Sequence, residues 1–209
     1  MQPFIKPTIA FLFFVLISCQ PKSDKKIFDQ ANLKIQPIVK PKFDYSILED
    51  GDIVLKRGTG QVSILMIKYL DEKIPLSHCG IIVKEDTSYS VIHSIAKEYT
   101  GIDGVQKTTL SYFLKDAKLK DSYIVRHRSP ISKRKILKTK ALGYLKIQIP
   151  FDYDFDIRDT SKFYCSEFID HALKSTYKKE YFSRKKIGHG EALLLNSLLD
   201  TTYFERILN

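Results

Sequence analysis

Cysteine is scarce in this 209-residue chain, which has three, Cys19, Cys79 and Cys165. So few cannot build the disulfide framework that holds many small exported domains together. Long apolar runs are also lacking: beyond Thr8–Ile17, no stretch approaches the roughly 20 residues a membrane-crossing helix needs. Phosphate-loop signatures are missing, because Gly58-Thr59-Gly60 has neither the lysine nor the spacing of such a loop and reads as a turn. No closely spaced Cys or His pairs of the kind that announce zinc are present. Acidic residues are in deficit, 24 against 34 Lys and Arg, for a formal net charge of +10. The densest basic clusters, Lys133-Arg134-Lys135, Lys178-Lys179 and Arg184-Lys185-Lys186, carry no interleaved aromatics or known reader motif, which argues against nucleic acid as a partner. They read as solvated faces, with attraction to anionic lipid or cell-wall polymer as the second reading.

What is present begins with a targeting segment. Met1 to Lys6 form a short positive region, and Thr8–Ile17 an apolar stretch too short to span a bilayer comfortably. Leu16-Ile17-Ser18-Cys19 resembles the lipobox of bacterial lipoproteins, which implies cleavage before Cys19 and acylation of that residue. An ordinary secretory signal with an incidental cysteine is the alternative. The expectation is a signal peptide over 1–18, a polar tether over 19–42 and one domain over 43–209, exported and lipid-anchored to a bacterial membrane, facing the periplasm or the cell surface.

Within the domain, Ile53-Val54-Leu55 reads as a strand after the turn at Gly51, and Val62–Leu70 as a short helix packed on the core. Ser77–Val83 and Tyr89–Ile95 read as the two arms of a hairpin. A tight turn centred on Glu85-Asp86 sets His78 directly opposite His93, with both imidazoles on one face of the sheet and Cys79 on the other. Neither turn residue is glycine, so a longer loop would shift this register. Val105–Lys107 extends as a strand, and Thr108 or Thr109 caps a helix through Leu114. Asp121–Arg128 alternates as another strand bearing a structural His127. Ile131–Ile149 has helical spacing, with Ile136, Leu137, Leu142, Leu145 and Ile149 as its apolar stripe. Phe182–Gly190 reads as a basic loop containing His189, Glu191–Leu199 as a terminal helix, and Tyr203 to Ile207 as a last strand or coil.

The stretch that carries most chemistry is Phe163–Leu173, a helix opening on Cys165. A thiol there meets unsatisfied backbone N–H groups and the positive end of the helix dipole, which favour the thiolate. A buried structural cysteine is the other reading of this stretch alone. The preceding Phe151-Asp152-Tyr153-Asp154-Phe155-Asp156 alternates aromatics with acids. Packing and capping explain this simply, with Tyr153 and Tyr164 as candidates for a substrate wall.

Gly51-Asp52-Ile53-Val54, Ser77-His78-Cys79-Gly80-Ile81, Val91-Ile92-His93, Pro150-Phe151-Asp152-Tyr153 and Tyr164-Cys165-Ser166-Glu167 together resemble successive blocks of the YiiX-like permuted papain-type amidases, relatives of the NlpC-type cell-wall cysteine peptidases. The resemblance implies an α+β fold, a circularly permuted papain-like arrangement of an antiparallel sheet with helices. It also implies Cys165 as nucleophile and His78 as base. The third, polar position falls on His93, a histidine in many NlpC-type relatives and often glutamate in YiiX-like ones. The expected activity is hydrolysis of an amide, peptide or isopeptide, through a Cys165 acyl-enzyme, with cell-envelope peptides as the substrate class and neither cofactor nor metal required. Lipid esters are the alternative, since enzymes resembling lecithin:retinol acyltransferase share the His, His, Cys order, although their block reads Asn-Cys-Glu-His. A non-catalytic lipoprotein, or a zinc site of His78, His93 and Cys165, is the third reading.

Overall fold

The computed structural model describes residues 44–187 and 190–208; the signal segment, Cys19, the whole tether and His189 lie outside them. Among the described residues, eight strands and five α-helices run in the order β1 (Ile53–Lys56), α1 (Gln61–Leu70), β2 (His78–Lys84), β3 (Tyr89–Ile95), α2 (Lys97–Thr100), β4 (Gly104–Thr109), α3 (Leu110–Phe113), β5 (Tyr123–His127), α4 (Ile131–Lys146), α5 (Cys165–Tyr177), β6 (Arg184–Ile187), β7 (Gly190–Leu193) and β8 (Phe204–Leu208). Six strands form one sheet in the order β4-β3-β2-β1-β5-β8, and β6 and β7 form a separate hairpin. All pairings are antiparallel.

Alternation along the strands assigns their side chains to two cores. Ile53, Leu55, Cys79, Ile81, Val83 and Ile92 face the cluster that holds Phe168, Ile169, Ala172 and Leu173 of α5 with Leu137 and Ala141 of α4. Val54, Ile82, Val91 and Ile124 face a smaller cluster with Leu48, Leu110 and Phe113. Fully burying an aliphatic or aromatic side chain is worth about 1.5–3 kcal/mol, so the apolar face of α5 fixes that helix, and the residue at its start, against the sheet.

Several expectations need correction. α1 forms as read, but only Leu70 is buried, while Ile64 is 60% and Tyr69 56% exposed. On α4 the buried positions are Arg134, Leu137 and Ala141, whereas Ile136 and Leu142 are exposed. Ile136 and Leu142 of the expected stripe thus lie off the buried face, and the helix ends at Lys146, before Ile149. The basic segment 184–187 is a strand, and Glu191–Leu199 divides into β7 and a 3-10 turn over Leu195–Leu199. Short apolar runs cannot distinguish these cases by periodicity.

Candidate active site

The β2–β3 hairpin decides where the histidines go. Its register pairs Lys84 with Tyr89 and Ile81 with Ile92, so each β2 residue meets a partner two positions further along β3 than the tight-turn register predicts. The loop is Glu85–Ser88, closed by Glu85 N–H donating to Ser88 O at 2.9 Å; Glu85 also accepts from Ser90 Oγ at 3.1 Å and pairs with Lys107 at 2.8 Å. A shift of two preserves the face of every side chain. His78 and His93 are therefore diagonal rather than directly opposed, yet still meet, with His78 Nε2 3.0 Å from His93 Nδ1 and ring centroids 5.1 Å apart. Gly80 makes the approach possible: a Cβ there would lie 2.3 Å from Val91 Cγ1 and 3.1 Å from His93 Cβ.

The two rings are boxed in. Phe113 stacks on His78 at 5.2 Å and meets His93 edge-on at 5.1 Å. His93 Nε2 lies 3.2 Å from Thr108 Oγ1. Lys56, directly opposite His78 in the β1–β2 pairing, reaches Phe113 O at 2.9 Å and Asp116 Oδ1 at 2.6 Å. Burial, the neighbouring ring and the Lys56 ammonium hold His78 well below the usual imidazole range. Burial and Lys56 bring His93 to about 3. Both rings are thus neutral at neutral pH.

Cys165 begins α5 after a tightly tied entry. Phe163 N–H donates to Pro150 O at 3.0 Å, and Phe163 O accepts from the buried Ser94 hydroxyl. Tyr164 N–H donates to Glu167 Oε2 at 3.0 Å, while Tyr164 Oη accepts from Leu193 N–H at 3.2 Å. Cys79 Sγ lies beneath the start of the helix and donates to the Cys165 carbonyl at 3.3 Å. A hydrogen bond from the Cys79 thiol, aided by backbone N–H groups at the helix start, lowers the Cys165 thiol below its ordinary range against the opposing effect of burial.

Cys165, Tyr164 and His78 line one cleft of about 130 Å³, together with Lys56, Ser77, Ser94, Phe151 and Phe155. The hydrogen bond of His78 goes to His93, which stands behind it. Tyr153 is placed elsewhere: its hydroxyl engages Asp103 at 2.8 Å and Glu98 at 3.2 Å, and the aromatics that reach the cleft from this loop are Phe151 and Phe155. His127 is fully occupied structurally, with Nδ1 accepting from Ser129 N–H at 3.1 Å, Nε2 3.0 Å from Tyr181 Oη, and Tyr177 stacked at 4.0 Å. Lys56 and Phe113 carry no reading in the sequence, where Thr108 stands only as a candidate helix cap and Glu167 only as part of the cysteine block. Only Lys56 had a signal, as the last residue of a strand beside the histidine strand.

No group of three His, Cys, Asp or Glu side chains suited to a metal ion occurs among the described residues. Comparison with curated proteins gives no match. Among solved structures, the protein described as the metalloprotein yiiX from Escherichia coli O157:H7 shares the fold at a TM-score of 0.61 and 14% identity, over 77% of this chain and 97% of that one. The histidine hairpin here precedes the cysteine helix in sequence, the reverse of the ordinary papain order, and the family model of permuted papain-like amidases matches residues 47–193. The chain therefore belongs to the permuted papain-like amidase family YaeF/YiiX, C92, and has its fold.

Proposed function

We propose that this chain hydrolyses an amide bond, peptide or isopeptide, through an acyl-enzyme on Cys165, with His78 as base and His93 orienting it. The observation that carries the reading is the shared cleft of Cys165 and His78, backed by the 3.0 Å contact between His78 Nε2 and His93 Nδ1. With Nε2 of His78 donating to His93 Nδ1, the nitrogen left to receive the thiol proton is His78 Nδ1. His93 then carries its own proton on Nε2, toward Thr108 Oγ1. Depressed basicity keeps His78 unprotonated at rest, so it is ready to accept. The thiolate left by the transfer supplies the attraction that offsets burying an imidazolium.

Attack of Sγ on the carbonyl places negative charge on oxygen, and the N–H of Cys165 at the start of α5 is the natural donor to it. The imidazolium protonates the leaving amine, and His78 then draws a proton from the water that frees the acyl group. Cell-envelope peptides are the substrate class that fits an exported chain held to a membrane through lipid on Cys19. Export and anchoring rest on the N-terminal sequence. Cys165→Ala should abolish turnover on a panel of cell-wall peptides, γ-glutamyl peptides and lipid esters while leaving the circular-dichroism spectrum unchanged; undiminished hydrolysis by that variant overturns the reading.

One observation favours the lipid-ester alternative. Met66 and Phe155 connect the cleft to a larger apolar groove of about 420 Å³ under Leu65, Tyr69 and Ala192, where exposed side chains of α1 would accept an acyl chain. Turnover confined to the ester members of the panel would select this reading.

A further inference from the structure

Cys79 is fully buried, and beyond its effect on the acidity of Cys165 the proposed hydrolysis gives it no bond-making step. Its position is nonetheless specific. Strand alternation turns it away from His78 and into the core under α5, where its Sγ donates to the Cys165 carbonyl at 3.3 Å. That contact sets the Cys79 thiol against the residue that carries the other thiol. Cys165 thus has the cleft on one side and a second thiol on the other. A lone reactive cysteine facing an oxidising exterior can be driven irreversibly to sulfinic or sulfonic acid, whereas a neighbouring thiol can intercept the first oxidised state.

We propose that Cys79 is a resolving thiol and that Cys79–Cys165 is a reversible modification site, closed as a disulfide when a hydroperoxide oxidises Cys165. The proposal rests on Cys165 being the reactive thiolate of the preceding section. In the first step Cys165 Sγ attacks a peroxide oxygen. An S–O bond forms, the O–O bond breaks, the sulfur loses two electrons to the peroxide, and hydroxide (or alkoxide) leaves, giving the sulfenic acid. In the second step Cys79 Sγ attacks that sulfur. The S–S bond forms, the S–O bond breaks, and the departing hydroxide takes the Cys79 proton to leave as water. With hydrogen peroxide the sum is two thiols and one peroxide giving one disulfide and two waters.

The order of events follows from access and acidity. Cys165 borders the cleft and its thiol is held low, so the peroxide reaches it first. Cys79 is sealed off, and burial holds its thiol well above the usual range. It reacts once an electrophilic sulfur is placed beside it. Bond formation sets the sulfurs about 2 Å apart, drawing Sγ of Cys165 toward the core and away from His78, so the disulfide form is inactive until a dithiol reduces it.

The test uses the purified full chain. Reduced protein is treated with hydrogen peroxide, free thiols are blocked with N-ethylmaleimide, and a non-reducing tryptic digest is mapped by mass spectrometry. The expected product joins Ile74–Lys84 to Phe163–Lys174 with the loss of two hydrogens, and dithiothreitol restores labelling of Cys165 by iodoacetamide. In Cys79→Ala the same treatment should carry Cys165 to sulfinic and sulfonic acid, which dithiothreitol does not reverse. If that variant fails to fold, the wild-type peptide map decides alone. A wild-type map showing over-oxidised Cys165 with unmodified Cys79, or a linkage of Cys165 to the Cys19 peptide, overturns the resolving role. Iodoacetamide labelling of unoxidised protein separates the two claims: sluggish labelling of Cys165 overturns the nucleophile reading, whereas rapid labelling without the cross-link overturns only this one.

Discussion

Glu167 accepts the N–H of Tyr164 with one carboxyl oxygen, while the other, buried, has no hydrogen-bond partner. Burial, with Asp152, Asp170 and Asp156 nearby, pushes its acidity to about 8, against the opposing bond from Tyr164. An unfolded chain would release this proton near the ordinary 4.5. Between those values the folded state binds more protons, so stability falls as pH rises through this window, and the stabilising contribution is fully present only below the unfolded value. Glu167→Gln keeps the acceptor for Tyr164 N–H and removes the ionisation. Urea midpoints measured from pH 5 to 9.5 should decline less for this variant than for wild type; parallel curves would contradict the assignment. Sequence made Cys165 and the two histidines legible, because a helix start and strand parity are local properties. Glu167 reads from sequence as an ordinary first-turn acid, and the carboxylates of Asp152 and Asp156 that raise its pKa act on it from a loop earlier in the chain.

At the level of elements, the β2–β3 hairpin shows why a register error left the histidine pairing intact. The sequence shows two strands and a polar connection, but the choice between a two-residue and a four-residue loop depends on Glu85 bonding to Ser88, Ser90 and Lys107, and Lys107 belongs to the next strand. Face parity survives a shift of two, so the imidazoles meet diagonally. That contact depends on the missing side chain at Gly80. Gly80→Ala would drive a methyl into Val91 and the Ile92 carbonyl, whose oxygen would be 3.0 Å away, at a cost of about 1–3 kcal/mol, the usual range for overpacking. Thermal denaturation should register the loss, and the imidazole resonances of His78 and His93 should move with it. A variant as stable as wild type with both resonances unmoved would show that the glycine is not what admits the contact.

For the whole molecule, the turn before β1 is where sheet and helix layers are joined. Asp52 is fully buried and takes Arg126 of β5 in a two-pronged pair at 2.7 and 2.8 Å, together with Glu49 N–H at 2.8 Å. Glu49 in turn bridges Arg126 to Arg134 of α4. Asp52→Ala leaves a largely buried guanidinium without its main partner and should cost about 3–5 kcal/mol, read as a lower urea midpoint; a loss below 1 kcal/mol, the range of exposed pairs, would place this network outside the framework of the fold. The acidic turn itself is visible in sequence, but its partner lies 74 residues away, beyond any local pattern. The same holds for Lys56, whose neighbours Asp116 and Phe113 reach it only once α3 closes over β4. What this framework holds in place is one thiol and one neutral imidazole at a common cleft, and the pH dependence of Cys165 alkylation by iodoacetamide tests that pairing most directly. In wild type the midpoint should lie below the roughly 8.5 of an ordinary thiol, and in His78→Ala it should rise toward that value as the imidazole that takes up the thiol proton is lost. Identical midpoints near the ordinary thiol value in both proteins would contradict the account.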